Sequence, residues 1–276
     1  MKRILCLSDI HLDINSQEKG TDLLPTLITY IQNQAPDVVL ISGDISNDWQ
    51  TSINILDKLM ESIEADIRFI PGNHDIWVGG NESSWTAYKQ FKAHPTSLID
   101  KPYVINSKYV LIGDMGWYDY SFGAKTTPHS LFAQQKKRLW ADGMYAKWQM
   151  DDIALFNKQY DSLEQQFSDY NDKRIIFANH FVPFEDFIIV SHTNDDWNFC
   201  NAYMGSRKLG ELIKRYPNID WCIFGHTHKR FGIIENHNGV NIICNPLGYS
   251  IEWSGLSFEK ELEKVVREKE EAINIQ

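Results

Sequence analysis

Pro36-Asp37-Val38-Val39-Leu40-Ile41-Ser42-Gly43-Asp44-Ile45-Ser46-Asn47-Asp48 is the stretch on which the reading of the fold turns. Pro36-Asp37 closes a preceding helix, and Val38 to Ile41 is an unbroken apolar run of the kind found in strands buried on both faces. Working outward, Leu23, Leu24, Leu27, Ile28 and Ile31 recur at helical spacing, with Pro25 in the first turn. Before them Ile4 to Leu7 reads as another buried strand. On the other side Ile53, Leu56, Met60 and Ile63 mark a helix, and Ile67 to Ile70 a strand ended by Pro71-Gly72. The order βαβαβ predicts a layered α/β domain.

Further along, Val104-Ile105 and Tyr109 to Ile112 suggest a hairpin, whereas Gly113 to Trp148 shows no sustained period. Ile153, Phe156, Tyr160, Leu163 and Phe167 share a helical face, and Ile175 to Ala178 follows as a strand. After an irregular piece come a helix with Leu209, Leu212 and Ile213, a strand at Trp221 to Phe224, and two strands around Asn238-Gly239, a hairpin turn. Phe258 to Ile273 reads as one charged terminal helix, with Leu262, Val265 and Val266 as its apolar stripe. The expectation is one domain over residues 1–276, with irregular lid-like insertions near 113–148 and 181–205.

A chain of 276 residues, 43% hydrophobic, can bury a sizeable core. Its 27 basic and 37 acidic residues give a formal charge of −10, which argues against an extended nucleic-acid surface. A local phosphate site remains compatible with that charge, because bound cations reverse the sign of a small cleft. No apolar run reaches signal-peptide or membrane-span length. The four cysteines lack CxxC spacing and read as reduced and mostly buried, in keeping with a cytoplasmic protein.

Polar residues stand directly after the apolar strands, where open α/β sheets place ligands. Asp9-Ile10-His11 follows the first, Gly43-Asp44 the second, Gly72-Asn73-His74-Asp75 the third, His180 the Ile175 strand, and Gly225-His226-Thr227-His228 the Trp221 strand. Any one of these is equally a turn or a hydrogen-bonded histidine. Together they exhaust the strand ends with oxygen and imidazole donors. Alternation along an extended chain lets Asp9 and His11, or His226 and His228, face one ion.

This series resembles the motifs of the calcineurin-like metallophosphoesterases: D-x-H, G-D-x-x-[DN], G-N-H-[DE], H and G-H-x-H, all present in order from Asp9 to His228. The resemblance implies a four-layer αββα sandwich, two mixed sheets flanked by helices, with two metals at its edge. It implies Asp9, His11 and His228 on one metal, Asn73, His180 and His226 on the other, and Asp44 bridging. Asn47 or Asp48 would orient His74, with Asn47 preferred. Carboxylate, amide and imidazole donors without thiolate suit Mn²⁺, Fe or Zn²⁺. Two such ions about 4 Å apart lower the pKa of a bridging water, so a metal-bridging hydroxide is the expected nucleophile. His74 is the expected general acid or charge stabiliser.

The protein phosphatase branch carries an Arg after its second motif, where Gly43 to Trp49 has none. A small phosphorylated substrate, nucleotide or other, monoester or diester, is the better expectation. A nuclease or protein phosphatase of the same family is the alternative activity. An interaction module on the same fold, like the retromer subunit with its compromised site, is the alternative class, and retention of all seven ligands favours the enzyme. Trp117 and Tyr118, near a strand end, are the candidate substrate walls, with Lys136-Lys137-Arg138, His192 and Trp197 as weaker candidates. The competing reading makes the aromatics a satellite core and the basic trio a solvated face.

Overall fold

A computed structural model describes residues 2–267 and 272–275. Its strands are β1 (Lys2–Leu7), β2 (Val38–Ser42), β3 (Asp66–Ile70), β4 (Tyr103–Val104), β5 (Tyr109–Gly113), β6 (Arg174–Ala178), β7 (Ile219–Ile223), β8 (Gly232–His237), β9 (Val240–Cys244) and β10 (Ala272–Ile275). They form two sheets, ordered β10-β1-β2-β3 and β4-β5-β6-β7-β9-β8. The inner strands β1-β2-β3 and β5-β6-β7-β9 run parallel, while β10, β4 and β8 pair antiparallel at the edges.

Side-chain alternation builds the layers. Ile4, Cys6, Val38, Leu40 and Ile70 of the first sheet meet Leu111, Ile176, Ala178, Ile223 and Ile243 of the second in one inner core. Leu5, Leu7, Val39 and Ile41, with Val110, Ile112, Ile175 and Phe177, point the other way into the main cluster beneath the helices. Val38 to Ile41 has no exposed surface, and each such side chain contributes about 1.5–3 kcal/mol by leaving water. Two-faced burial is the reason these strands read as continuous apolar runs.

The helices are α1 (Leu12–Lys19), α2 (Leu24–Gln34), α3 (Trp49–Ser62), α4 (Ser84–Ala93), α5 (His129–Leu139), α6 (Asp142–Tyr145), α7 (Asp152–Asp169), α8 (Asp195–Cys200), α9 (Arg207–Arg215) and α10 (Phe258–Arg267). α10 packs against α2 and β1, and α7 against β5, so helices cover both outer faces of the sandwich. Pro25 occupies the first turn of α2, as its fixed φ allows. No helix among the described residues is long and apolar enough to cross a membrane. All four cysteines are buried.

Three expectations need correction. The described part of the terminal helix covers Phe258–Arg267, and Ile273 belongs to β10, which pairs antiparallel with β1; residues 268–271 of the expected helix lie outside the described residues. The stretch 113–148 contains α5 and α6, and 181–205 contains α8 with short turns at Glu185–Phe187 and Asn201–Tyr203. Within α5 only Phe132 is buried, so no apolar period betrays the helix. The structure also adds α1 and α4, which the period of apolar residues did not mark.

Candidate metal centre

The loops after β1, β2, β3, β6 and β7 bring the motif residues to one edge of the sandwich. Backbone hydrogen bonds lace these loops: Asp9 N–H donates to Gly43 O (3.0 Å), His11 N–H to Asp44 O (3.0 Å) and Gly225 N–H to His180 O (3.1 Å). The Asp75 carboxylate accepts from the backbone N–H groups of Asp44 (2.7 Å), Ile45 (3.0 Å), Ser46 (3.3 Å) and Gly72 (2.8 Å) and from the Ser52 hydroxyl (2.6 Å). Burial and the nearby Asp44 charge push that carboxyl up to about 7 against those donors. Glycine is required at two close approaches: a Cβ on Gly72 would collide with Asp44 Oδ1, and one on Gly225 with Asp9 Oδ2.

Asp9, His11, Asp44, His226 and His228 have φ of 52°, 42°, 56°, 68° and 51°. They lie in the left-handed region, which non-glycine residues seldom enter. Extended alternation is therefore not what turns Asp9 with His11, or His226 with His228, toward a common point; tight left-handed turns do so.

The donor atoms converge on one another. His180 Nδ1–H donates to the Ser42 carbonyl (2.9 Å), which turns Nε2 inward, 3.1 Å from Asn73 Oδ1 and 3.3 Å from Asp44 Oδ2. Asn73 Nδ2 donates to Asp142 Oδ1 (2.9 Å), which turns its carbonyl oxygen inward. His226 gives its Nε2 proton to the Tyr203 carbonyl (3.3 Å), freeing Nδ1. His228 Nδ1–H donates to Glu252 (2.9 Å), and its Nε2 faces His11 Nε2 (3.0 Å) and Asp9 Oδ1 (3.6 Å). Asp44 Oδ2 lies 3.8 Å from His11 Nε2, between the two sets. Ligands held at about 2.0–2.2 Å from one ion stand roughly 3–3.5 Å from each other, close to these separations.

The residues fit a metal pair on a second ground. Asp9 Oδ2 is buried without a hydrogen-bond partner, a costly state unless an ion supplies the missing contact. Donor atoms of Asp9, His11 and His228, and those of Asp44, His180 and His226, each lie within 4.8 Å of one another. Burial pulls the His180 pKa down, yet Asp44 and Asp9 outweigh it and raise the value to about 9. The carboxylates thus favour positive charge at this point.

His74 Nδ1 lies 2.8 Å from Asn47 Oδ1, and its Nε2 is 3.9 Å from Asp44 Oδ2. Burial holds its pKa near 4. Asp48 does not reach His74: its side chain caps α3, accepting from Thr51 N–H (2.8 Å), because an aspartate at that position satisfies an orphan helix donor.

Trp117 and Tyr118 are also corrected. Both have 0% exposure and belong to the core, so neither can line a substrate cleft. Trp117 Nε1–H donates to Asp152 (2.7 Å) and the Tyr118 hydroxyl to Asp142 (3.3 Å). Lys136 pairs with Asp152 (2.6 Å), while Lys137 and Arg138 are exposed, and so are His192 and Trp197. The aromatic surface that does border the centre is different. Trp77 stacks on His74 with ring centroids 3.7 Å apart, and Tyr249 lies 4.4 Å from His11 and 4.7 Å from His228. Sequence reasoning missed Tyr249 and Glu252, which follow β9, and Asp142, which follows α5; none carries a local motif.

Comparison with known proteins agrees with this geometry. The family model described as calcineurin-like phosphoesterase matches residues 2–230. A protein of Vesicomyosocius okutanii subsp. Calyptogena okutanii named "Probable cyclic nucleotide phosphodiesterase" is 33% identical over 241 residues, covering 83% of this chain and 82% of that one. Among solved structures, phosphopantetheinyl hydrolase from Mycobacterium tuberculosis superposes with a TM-score of 0.72 at 16% identity, covering 91% of each chain. A dimetal phosphatase from Danio rerio superposes with a TM-score of 0.53 at 13% identity, covering 89% of this chain and 87% of the other. A sandwich edge on which these donors converge, on a chain matched through every motif loop, leads to one conclusion: the protein belongs to the calcineurin-like phosphoesterase family of dimetal, metal-dependent hydrolases.

Proposed function

We propose that this enzyme cleaves a phosphoester bond in a small phosphorylated molecule, with nucleotide phosphodiesters the leading class. Asp9, His11 and His228 hold one ion and Asn73, His180 and His226 the other, with Asp44 shared; Mn²⁺, Fe or Zn²⁺ suits these donors. The observation that carries the reading is the convergence of donor atoms on Asp44 Oδ2, with His180 Nε2 at 3.3 Å and His11 Nε2 at 3.8 Å. When bound, the ions supply an activated water and neutralise phosphoryl oxygens. Asn47 fixes the His74 ring through Nδ1 and directs Nε2 at the cleft. With Nδ1 donating, Nε2 can protonate a leaving oxygen only as imidazolium, a form that an adjacent anionic substrate promotes. The name of the relative at 33% identity supports the nucleotide diester class, and the lack of Arg in Gly43 to Trp49 argues against a protein substrate.

The test is a screen of cyclic nucleotides, other diesters, monoesters, nucleoside di- and triphosphates and short nucleic acids with the Mn²⁺-loaded protein, repeated with His74→Ala. The variant should keep its metals and lose about 10²- to 10⁴-fold in turnover on esters with poor leaving groups, and less on nitrophenyl esters. No hydrolysis of any phosphoester by the loaded wild type would overturn the reading. Equal losses on both kinds of ester would assign His74 to charge stabilisation instead of proton donation.

A further inference from the structure

Two carboxylates, Asp9 and Asp44, sit among the converging donors, and among the described residues no Lys or Arg hydrogen-bonds or ion-pairs with any of the seven. A doubly charged phosphomonoester gains most from a guanidinium, whose charge-assisted paired bonds match its oxygens. That donor is missing, and the position facing the cleft from the second sheet is taken by Tyr249.

Tyr249 is held for a purpose its own contacts do not explain. Its ring covers His11 at 4.4 Å and approaches His228 at 4.7 Å and His74 at 6.4 Å. The loop beneath it is fixed from four directions. Tyr249 N–H donates to Glu252 (2.7 Å), Gly248 N–H to Asp9 O (2.9 Å), Ser250 N–H to Asn15 Oδ1 (2.7 Å), and Asn15 Nδ2 to Gly248 O (3.0 Å). Glu252 is the same carboxylate that orients His228, so the loop and the metal site are positioned together. The ring is half-buried, yet its hydroxyl makes no hydrogen bond among the described residues. A phenol hydroxyl is a neutral hydrogen-bond donor near pH 7.

We infer that the Tyr249 hydroxyl donates a hydrogen bond to a non-bridging oxygen of the bound phosphoryl group, and that this neutral donor in place of a cation selects singly charged phosphodiesters over doubly charged monoesters. The inference rests on the phosphoester reading above and adds a residue and a charge class to it.

The test uses Mn²⁺-reconstituted wild type and Tyr249→Phe, which keeps the ring over His11 and removes only the hydroxyl. Elemental analysis should give the same metal content for both. Calorimetric affinity for inorganic phosphate should weaken about ten-fold or more in the variant, as for a hydrogen bond to a charged group. The wild type should have a higher kcat/KM on bis(p-nitrophenyl) phosphate than on p-nitrophenyl phosphate. Unchanged phosphate affinity overturns the inference. So does loss of metal from the variant, which would make Tyr249 a support of the centre, and so does a wild-type preference for the monoester. A wild type that neither binds phosphate nor cleaves either ester would instead sink the underlying phosphoester reading.

Discussion

A non-glycine residue held in left-handed backbone costs about 1–3 kcal/mol, and Asp9, His11, Asp44, His226 and His228 all adopt that conformation. The buried contacts around them must hold this strain, and they keep the donors aimed at one another. Glu252 is one such contact, since its carboxylate fixes the tautomer of His228 through Nδ1. Glu252→Ala should lower metal affinity about 10- to 100-fold, the usual effect of removing a partner behind a ligand, as read by chelator competition; unchanged affinity would mean that packing alone orients His228. A second residue-level outcome concerns Asp114, which is 1% exposed beside Tyr88. Burial raises its carboxyl from 3.8 to about 7 against the hydrogen bonds from Tyr88 and Met115. Between those values the folded protein keeps a proton that the unfolded chain has lost, so stability falls as pH rises through the window. Asp114→Asn removes that titration. Denaturant unfolding at pH 5 and pH 8 should show the variant gaining on wild type at the higher pH, and an equal difference at both would contradict it.

The elements that deliver the site were the easiest to read. β2 is buried on both faces throughout, and β1 and β6 after their charged first residues, so these read as apolar runs followed abruptly by polar donors; β3 and β7 carry one charged residue each inside the run, Arg68 and Asp220, and are still mostly apolar. α1 and α5 were hidden because few of their residues are buried, Leu12 and Asn15 in the first and Phe132 in the second. β10 is a four-residue edge strand beyond a charged helix, too short for an alternation to stand out. Trp117 and Tyr118 were misplaced because closeness to a strand end does not say on which side of the loop a ring will pack. Tyr249 and Glu252 reach His228 only through the return of β9, a tertiary fact with no local trace. The two loops after β2 and β3 are joined by Asp75, whose five partners are all donors. Asp75→Asn would turn an amide NH₂ against them and should destabilise the fold by about 1–3 kcal/mol, the cost of buried donors left unpaired. Urea unfolding checks it, and a loss near zero would show that the loops are held by the sheet alone.

At the scale of the whole molecule the two sheets meet through an apolar inner core and, at one edge, through the donors. Asp9, Asp44 and Asn73 come from loops of the first sheet, and His180, His226 and His228 from loops of the second. Each ion of the proposed pair would therefore join both sheets, and Asp44 would join the ions. Among the described residues no Lys or Arg pairs with the candidate ligands, so the cleft's affinity for phosphate would depend on the metals. Elemental analysis of the protein after reconstitution with Mn²⁺ or Zn²⁺ tests this directly. The account predicts two transition-metal ions per chain, and loss of that pair in Asp44→Ala. Less than one ion per chain in the wild type, or two retained without Asp44, would contradict it.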